Sequence, residues 1–316
     1  MRHSIHAAFL GVLASALAAA SASAQTITPA FAGNYSFTDL GSVPGLPGLY
    51  GGLTTMFGDP NTLLIGGRAN TAAGRFHTIG VVRDVDGHIT GFSGSAAVYG
   101  GGEFNDGGVA FEESTGILFA SRYPVNQLGL SRPGSQTTDK VIDLAPFGVE
   151  GSHASLVFVP GNFPGAGRLK VSSWSGGQWG DLNLANDGNG LYDVTSFVEY
   201  PGSRLPGGPE GLAYVPLNSP VFGSTPTMIV SEFSAGSIAA YDVDAIGNPI
   251  VATRRTFMDG LAGAEGALID PLTGDFIFST FGGGDRVIVV RGFNIPVPGA
   301  AAVLGLGGLL AARRRR

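Results

Sequence analysis

An acidic residue followed by glycine occurs four times in front of an apolar segment, at Asp106-Gly107, Glu150-Gly151, Glu210-Gly211 and Glu265-Gly266. Carboxylates that meet at one place repel one another and raise each other's pKa. A hard cation such as Ca²⁺, which takes oxygen ligands at ~2.3–2.6 Å, relieves that repulsion. The repeat therefore predicts a calcium site built from Asp106, Glu150, Glu210 and Glu265. The alternative is a turn whose acid caps backbone N–H groups or faces water, because the glycines alone fit turn chemistry.

Four aromatic side chains lie at repeated positions near strand ends and form a second set of candidates. They are Trp174, Trp179, Phe233 and Phe281. Aromatic rings can stack on sugars, but they also dominate the burial of protein cores. We expect packing between structural units as their main role. Stacking on an extracellular polysaccharide is the alternative.

Other polar groups indicate structural roles. Asp187-Gly188-Asn189-Gly190, with Asp193, has some of the oxygen spacing of a calcium loop, but Leu191 replaces an expected ligand. A hairpin turn explains this segment better, because glycine and asparagine adopt positive φ readily. His153 follows Glu150-Gly151, and we expect a hydrogen-bonded histidine near the core, since one histidine without partners is no metal-ligand set.

The common motifs of hydrolases and nucleotide-binding enzymes are missing from the sequence. It contains neither a Gly-x-Ser-x-Gly elbow nor a Gly-Lys-Ser/Thr phosphate loop. A phosphatase also needs basic residues that hold the phosphate. The candidates, which are not clustered in sequence, are Arg68, Arg122, Arg168 and Arg286. We therefore expect a binding or structural protein rather than an enzyme. A calcium-dependent hydrolase of the phosphoesterase or lactonase type is the alternative.

The segments that carry these residues have the pattern of short β-strands bounded by turns. The chain has 52 glycines and 44% hydrophobic residues, and no long helical periodicity occurs between residues 30 and 295. The β-rich runs are residues 62–65, 117–120, 169–172, 228–231, 276–279 and 287–290. This pattern predicts an all-β protein.

Internal repeats indicate which β architecture to expect. Residues 230–238 match residues 171–179 without a gap, and residues 278–284 form a third copy. Tyr50 takes the place of the acid in the first unit, and the unit starts are 56, 44, 60 and 55 residues apart. A unit of about fifty residues with four short strands is typical of a propeller blade. We predict a β-propeller with five blades. Six blades with one degenerate blade and a β-sandwich are the alternatives, and the spacing disfavours the sandwich.

The last unit, residues 265–293, has room for only three strands. We predict that the separate strand at residues 34–40 supplies the fourth and closes the ring, which removes exposed sheet edges. The innermost strands would then line a central channel, with the four acids and Tyr50 at one level. The stretch Pro209-Glu210-Gly211-Leu212-Ala213 is similar to the strand start of secreted calcium-binding propellers, including phytase-like and gluconolactonase-like ones.

The N-terminus has the three parts of a secretion signal. Arg2 supplies a positive charge, residues 7–20 are apolar apart from Ser15, and Ala22-Ser23-Ala24 fits the small-x-small cleavage rule. Cleavage by signal peptidase between Ala24 and Gln25 is therefore expected. A buried helix is the alternative, but it would need a polar face that these residues lack.

The C-terminus combines a proline-marked break, an apolar stretch at residues 300–312 and a terminal arginine cluster. The thirteen apolar residues are marginal as a permanent anchor, since a stable span needs ~20. We expect transient membrane association and removal of the tail; a weak permanent anchor is the alternative. The residues that define this tail are Pro296, Pro298, Gly299, Arg313, Arg314, Arg315 and Arg316.

At these residues the chain resembles the PEP-CTERM family, whose tails are recognised by exosortases. Family tails carry Pro-Glu-Pro before the helix, whereas this chain has Ile295-Pro296-Val297-Pro298-Gly299 and lacks the glutamate. The resemblance covers about residues 294–316. It implies export in a Gram-negative bacterium and delivery to the cell surface or extracellular matrix, and it implies no activity.

Charge and composition fit an exported protein. The whole chain has 18 basic and 24 acidic residues, and loss of Arg2 with the four terminal arginines leaves a net charge of −11. That charge argues against nucleic acid as a partner. Cysteine is absent, so about 270 residues must fold on a hydrophobic core alone, which is a sufficient length. We expect a signal peptide (1–24), a propeller domain (25–293) and a sorting tail (294–316).

Overall fold

The computed structural model describes residues 25–295. Its strands form five separate antiparallel sheets, which are the five blades of a β-propeller. We number the blades 1 to 5 in the order of their innermost strands along the chain. The all-β class and the five blades are confirmed, and the six-bladed and sandwich alternatives are wrong. The predicted signal peptide with Ala24, and the tail positions from Pro296 to Arg316, lie outside the described residues.

Each blade contains four main strands, which follow one another from the channel outward. Blade 1 has β3 (Leu53–Met56), β4 (Asp59–Gly67), β5 (Arg75–Arg83) and β6 (Ile89–Gly100). Blade 2 has β7 (Asn105–Phe111), β8 (Leu118–Arg122), β9 (Gln127–Ser131) and β10 (Lys140–Asp143). Blade 3 has β11 (His153–Phe158), β12 (Leu169–Ser173), β13 (Trp179–Asn186) and β14 (Tyr192–Glu199).

Blades 4 and 5 each include a strand from the N-terminal region. Blade 4 has β15 (Pro209–Tyr214), β16 (Thr227–Glu232), β17 (Ser237–Asp242), β18 (Arg255–Asp259) and, outermost, β1 (Thr26–Ile27). Blade 5 has β19 (Leu268–Ile269), β20 (Phe276–Ser279), β21 (Val287–Arg291) and β2 (Ser36–Asp39). Three short 3₁₀ helices lie in connections, at Ala145–Phe147, Pro201–Ser203 and Val251–Thr253.

The ring closes through the N-terminal strand as predicted. Strand β2 pairs with β21 in antiparallel register, from Ser36 opposite Arg291 to Asp39 opposite Ile288. The Tyr35 ring packs 4.6 Å from the Phe293 ring, which holds the entry of β2 against the end of the propeller. The pairing of β1 with β18 was not predicted, because a two-residue strand leaves no repeat signal.

The hydrophobic core lies between neighbouring blades. Strand β16 is buried along its whole length, whereas the outermost strand β14 has only Val194 buried. Because β16 is covered on both faces by adjacent blades, its polar residues Ser231 and Glu232 are as fully buried as its apolar residue Ile229. One apolar cluster joins blade 4, through Ile229 and Phe257, to blade 5, through Phe278 and Ile288.

Within residues 25–295, no helix is long and apolar enough to cross a membrane.

Glycine allows the innermost strands of different blades to touch. A Cβ atom on Gly107 would lie 2.8 Å from Oε2 of Glu210, and one on Gly211 would lie 2.3 Å from the carbonyl carbon of Gly266. A Cβ atom on Gly266 would in turn meet the Cα of Gly52 at 2.8 Å. The glycine that follows each of three acids is therefore required for close approach of the backbones. Gly151 differs, because a Cβ there would meet nothing within 4 Å.

Buried serines connect the innermost strands across the gaps between blades. Ser279 in β20 donates to the carbonyl oxygen of Gly51 in the next blade at 2.6 Å and accepts from the N–H of Gly266 at 3.0 Å. Ser121 in β8 does the same between blades 2 and 3, donating to the carbonyl of Ala154 at 2.7 Å. These bonds satisfy backbone groups that the narrow channel removes from water.

Candidate functional site

Three of the four predicted acids meet at the channel. Asp106 is at the start of β7, Glu210 is at the start of β15, and Glu265 directly precedes β19. One carboxylate oxygen from each lies within 4.8 Å of the other two. The three residues are 2%, 5% and 1% exposed, respectively. The topology therefore brings together three buried carboxylates that are more than fifty positions apart along the chain.

Glu150 is not part of this cluster, which corrects the predicted set of four. Its side chain is 40% exposed, and Oε1 accepts from Arg204 Nη2 at 2.9 Å. Tyr50 is also elsewhere, because its hydroxyl accepts from the N–H of Val43 at 2.9 Å. The acid–glycine repeat thus identified the site in blades 2, 4 and 5 only.

Blades 1 and 3 contribute no carboxylate to the cluster. In blade 3 the innermost strand β11 begins at His153, which pairs with Ser173, as β7 begins at Asn105, which pairs with Arg122, beside Asp106 in blade 2. His153 is fully buried, and both its ring nitrogens lack a hydrogen-bond partner. The expected position near the core is confirmed, but neither ring nitrogen makes the expected hydrogen bond.

Burial dominates the electrostatics of the cluster. It raises the pKa of Asp106 to about 7, although hydrogen bonds from Glu265, Asn70 and Gly107 act in the opposite direction. The pKa of Glu210 is raised well above its usual range by burial and then by the charge of Asp106. Burial and the charges of Glu210 and Asp106 raise the pKa of Glu265 in the same way. Three anionic groups at this place need either protons or a bound cation.

Asn70, which the sequence did not indicate, orients the cluster. With its amide nitrogen facing the acceptors, Asn70 donates to Oδ1 of Asp106 at 2.9 Å and to the carbonyl oxygen of Asn105 at 3.2 Å. This contact fixes one oxygen of Asp106, while Oδ2 has no hydrogen-bond partner. Glu210 Oε2 and Glu265 Oε1 are also buried without a partner.

The geometry of the cluster fits a cation with oxygen ligands. Two ligands at ~2.4 Å from one Ca²⁺ cannot be further apart than about 4.8 Å, and the three carboxylate oxygens meet that limit. Their unpartnered oxygens leave lone pairs available for coordination. Among residues 25–295 this is the one such group of three or more side chains. Three carboxylates supply fewer ligands than the six to eight that Ca²⁺ takes, so further oxygens must come from water or from a ligand.

A cavity of about 190 Å³ opens directly above the cluster. Its polar lining comes from Glu210, Glu265 and Asn70. Its remaining walls are four aromatic side chains: Tyr123, Trp174, Phe233 and Phe281. Each aromatic residue lies in the connection between the second and third strands of its blade, from blade 2 to blade 5. Asn70 lies in the corresponding connection of blade 1. All five blades therefore contribute to one mouth of the channel, and we call this space the aromatic cavity.

The backbone holds the four rings in place by the same contact in each blade. The N–H of the aromatic residue donates to a carbonyl just before the innermost strand, for example from Phe233 to Gly208 at 2.9 Å and from Phe281 to Gly263 at 2.8 Å. The rings pair across blades, Tyr123 with Trp174 at 6.2 Å and Phe233 with Phe281 at 6.0 Å. They are partly exposed and belong to none of the apolar clusters between blades.

Trp179 is the exception among the predicted aromatic residues. It is fully buried in a cluster between blades 3 and 4, and its Nε1 donates to Oδ1 of Asn248 at 3.0 Å. Packing between units, the role expected for all four predicted aromatics, therefore holds for Trp179. Trp174, Phe233 and Phe281 also contact a ring of a neighbouring blade, but they line the aromatic cavity as well. Tyr123 was missed because the segment Ser121-Arg122-Tyr123 was not aligned with Ser172-Ser173-Trp174 and Ser231-Glu232-Phe233.

The remaining candidates have structural roles. Asp187 accepts from the N–H groups of Asn189 and Leu191 in the β13–β14 hairpin and forms an ion pair with Lys140 at 2.9 Å, as expected of a turn. The predicted arginines do not converge. Arg122 pairs with Glu103, Arg168 with Asp181 and Arg286 with Asp39.

Comparison with known proteins supports the fold and no more. No family model matches the chain, and no curated protein matches it in sequence. A calcium structure of a Trichoderma reesei carbohydrate-active enzyme of family AA12 is similar at 10% identity and a TM-score of 0.50, over 85% of this chain and 97% of that one. An auxiliary nutrient binding protein from Bacteroides thetaiotaomicron has 10% identity and a TM-score of 0.48, over 81% and 76%. Glutaminyl cyclase from Myxococcus xanthus has 11% identity and a TM-score of 0.48, over 81% and 95%.

Proposed function

We propose that this protein is an exported β-propeller that binds a small polar ligand at one mouth of its channel, with a divalent cation held by Asp106, Glu210 and Glu265. The observation that carries the proposal is the meeting of three buried carboxylates beneath the aromatic cavity. Ca²⁺ is the cation that the oxygen-only ligand set favours. Asn70 would keep one oxygen of Asp106 in position.

A binding role fits the site better than hydrolysis of a phosphate ester. Transfer of a phosphoryl group needs positive charge at the phosphate. Within the described residues, three of the four candidate arginines are paired with separate carboxylates away from the cluster. The cavity walls offer aromatic surface in place of cationic groups.

The proposed location of the protein, at the cell surface or in the extracellular matrix, rests on the sequences of the two ends of the chain. The N-terminal signal sequence supports export, and the C-terminal tail supports sorting by an exosortase to the cell surface or matrix. The net charge of −11 after loss of both ends is compatible with a soluble, cation-binding protein.

Thermal melting with and without calcium tests the cation site. A ligand that binds only the native state stabilises it by about 2.7 kcal/mol at a hundredfold excess over Kd. We therefore expect calcium to raise the melting temperature of the wild-type protein relative to chelator. Glu210→Gln should lose most of that increase, because it removes one charged ligand at nearly constant volume.

Glu150→Gln is the matched control, since Glu150 belongs to the same sequence repeat but lies outside the cluster. It should retain the full calcium effect. Equal melting temperatures of the wild-type protein in calcium and in chelator would contradict the proposal, and so would equal losses in the two variants.

A further inference from the structure

We infer that the aromatic cavity is a binding site for a single sugar ring, whose adjacent hydroxyl groups complete the coordination of the bound cation. This inference rests on the cation site proposed above. It adds the chemical class of the ligand, and it assigns Trp174 and its three aromatic neighbours as the residues that recognise it.

The open coordination positions of the bound cation face the aromatic cavity. Glu210 and Glu265 both line the cavity although they are almost fully buried, so they form its floor. A cation held by the cluster therefore meets the cavity from below. Its remaining ligands must be oxygens that enter from the cavity side, and two adjacent hydroxyls of one ring can supply a pair of them.

The cavity walls are largely aromatic. Four of the five blades place an aromatic ring around the cavity, and these partly exposed rings belong to none of the buried apolar clusters between blades. Aromatic faces favour the C–H surfaces of a ring-shaped polar ligand, which is apolar on its faces and polar at its edge. The cavity volume of about 190 Å³ is suited to one such ring rather than to an extended chain.

The electrostatics of the site disfavour a charged ligand. Three carboxylates with one divalent cation still carry a net negative charge, so an anionic ligand would be repelled. An organic ammonium ion would suit aromatic walls, but it would pair with the carboxylates directly and compete with the metal. A neutral sugar is the class that uses both the cation and the rings.

Tryptophan fluorescence offers a direct readout, because the chain has two tryptophans in different environments. Trp174 lines the cavity, whereas Trp179 is fully buried. The probes are the methyl glycosides of glucose, galactose, mannose, fucose and N-acetylglucosamine, with choline as the competing organic cation. We expect a saturable change in emission with at least one glycoside in calcium and loss of that change in chelator.

Substitutions distinguish the binding of a sugar in the aromatic cavity from the binding of the cation by the carboxylates. Trp174→Leu should weaken glycoside binding, measured by calorimetry, by about tenfold and leave the calcium-induced rise in melting temperature intact. Glu210→Gln should lose both effects. Phe57→Leu is the control, because Phe57 is 51% exposed and lines the cavity at the opposite end of the channel. It should bind glycoside as the wild type does.

Each of three results would overturn the inference. These are a calcium-dependent rise in melting temperature without a response to any glycoside, equal glycoside binding in calcium and chelator, and saturable choline binding that calcium displaces. The first of these results would still support the proposed cation site. If calcium does not change the melting temperature at all, it is the proposed function that fails.

Discussion

Glu150 and Glu210 show how the environment, not the residue type, makes a candidate ligand. Both are glutamates followed by glycine in front of an apolar segment. Glu210 is 5% exposed beside two other carboxylates, so charge at this position is costly without a counter-ion. Glu150 is 40% exposed and already has Arg204 as its partner, so its charge is compensated without a metal. A site for a cation forms where burial and like charge coincide.

The burial of His153 should make the free energy of unfolding of the protein depend on pH. Burial lowers the pKa of His153 to about 4, from 6.5 in an accessible chain. Between these values the unfolded state binds more protons than the native state, so the free energy of unfolding falls as the pH falls. The loss between pH 7 and pH 4 is on the order of 3 kcal/mol.

The comparison with His153→Leu isolates this contribution. Denaturant unfolding at several pH values, with calcium present throughout, should show that the difference between wild type and variant shrinks or reverses toward low pH. The carboxylates and other titrating groups are common to both proteins and cancel in the difference. A difference that does not change with pH would show that His153 is not held in its neutral form.

At the scale of the strands, the serines that cross the gaps between blades explain how a narrow channel tolerates so much buried backbone. Ser279 and Ser121 each connect the innermost strand of their own blade to that of the next. Ser172 occupies the same position in β12 and is equally buried, but its hydroxyl has no hydrogen-bond partner. The joint between blades 3 and 4 therefore lacks this contact.

The contrast between Ser279 and Ser172 predicts unequal effects of the same substitution. Ser279→Ala should destabilise the protein by about 1–3 kcal/mol, because it leaves the N–H of Gly266 and the carbonyl of Gly51 buried without partners. Ser172→Ala should be close to neutral, since it removes no hydrogen bond. Equilibrium unfolding in urea measures both, and equal destabilisation by the two variants would contradict the assignment.

At the scale of the whole molecule, the described chain ends on the face opposite the aromatic cavity. Strand β21 runs away from the β20–β21 connection that carries Phe281. Asn294 then donates to Ser219 at 3.1 Å and to the carbonyl of Asn218 at 2.7 Å, in the connection between the first two strands of blade 4. A tail that attaches the protein to a membrane or surface from this side would direct the cavity outward.

The proposed processing at both ends predicts a defined mass for the surface form. In a host with an exosortase, the mature protein should begin at Gln25 and lack Arg313–Arg316. Intact-mass measurement of protein released from the cell surface checks both ends at once. A mass that retains the arginine cluster would contradict removal of the tail, and one that includes residues 1–24 would contradict signal cleavage.

The architecture could be predicted from local sequence patterns alone. The repeated strand starts, the three-strand last unit and the separate strand at residues 34–40 predicted five blades and their closure, because each blade repeats one local pattern of strands and turns. The sequence also identified Asp106, Glu210 and Glu265, since each needs a following glycine where innermost strands touch.

Which of the repeated residues meet depends on the folded ring and could not be predicted from the sequence. Acid–glycine at positions 150 and 151 looks the same in sequence, but Glu150 lies before the start of β11, where it is 40% exposed and paired with Arg204. Asn70 reaches the site through a connection whose sequence, Gly67-Arg68-Ala69-Asn70, does not share the Ser-x-aromatic pattern of Tyr123, Trp174 and Phe233. A site built from all five blades depends on how the ring closes, and local sequence patterns do not report distances between segments that are far apart in the chain.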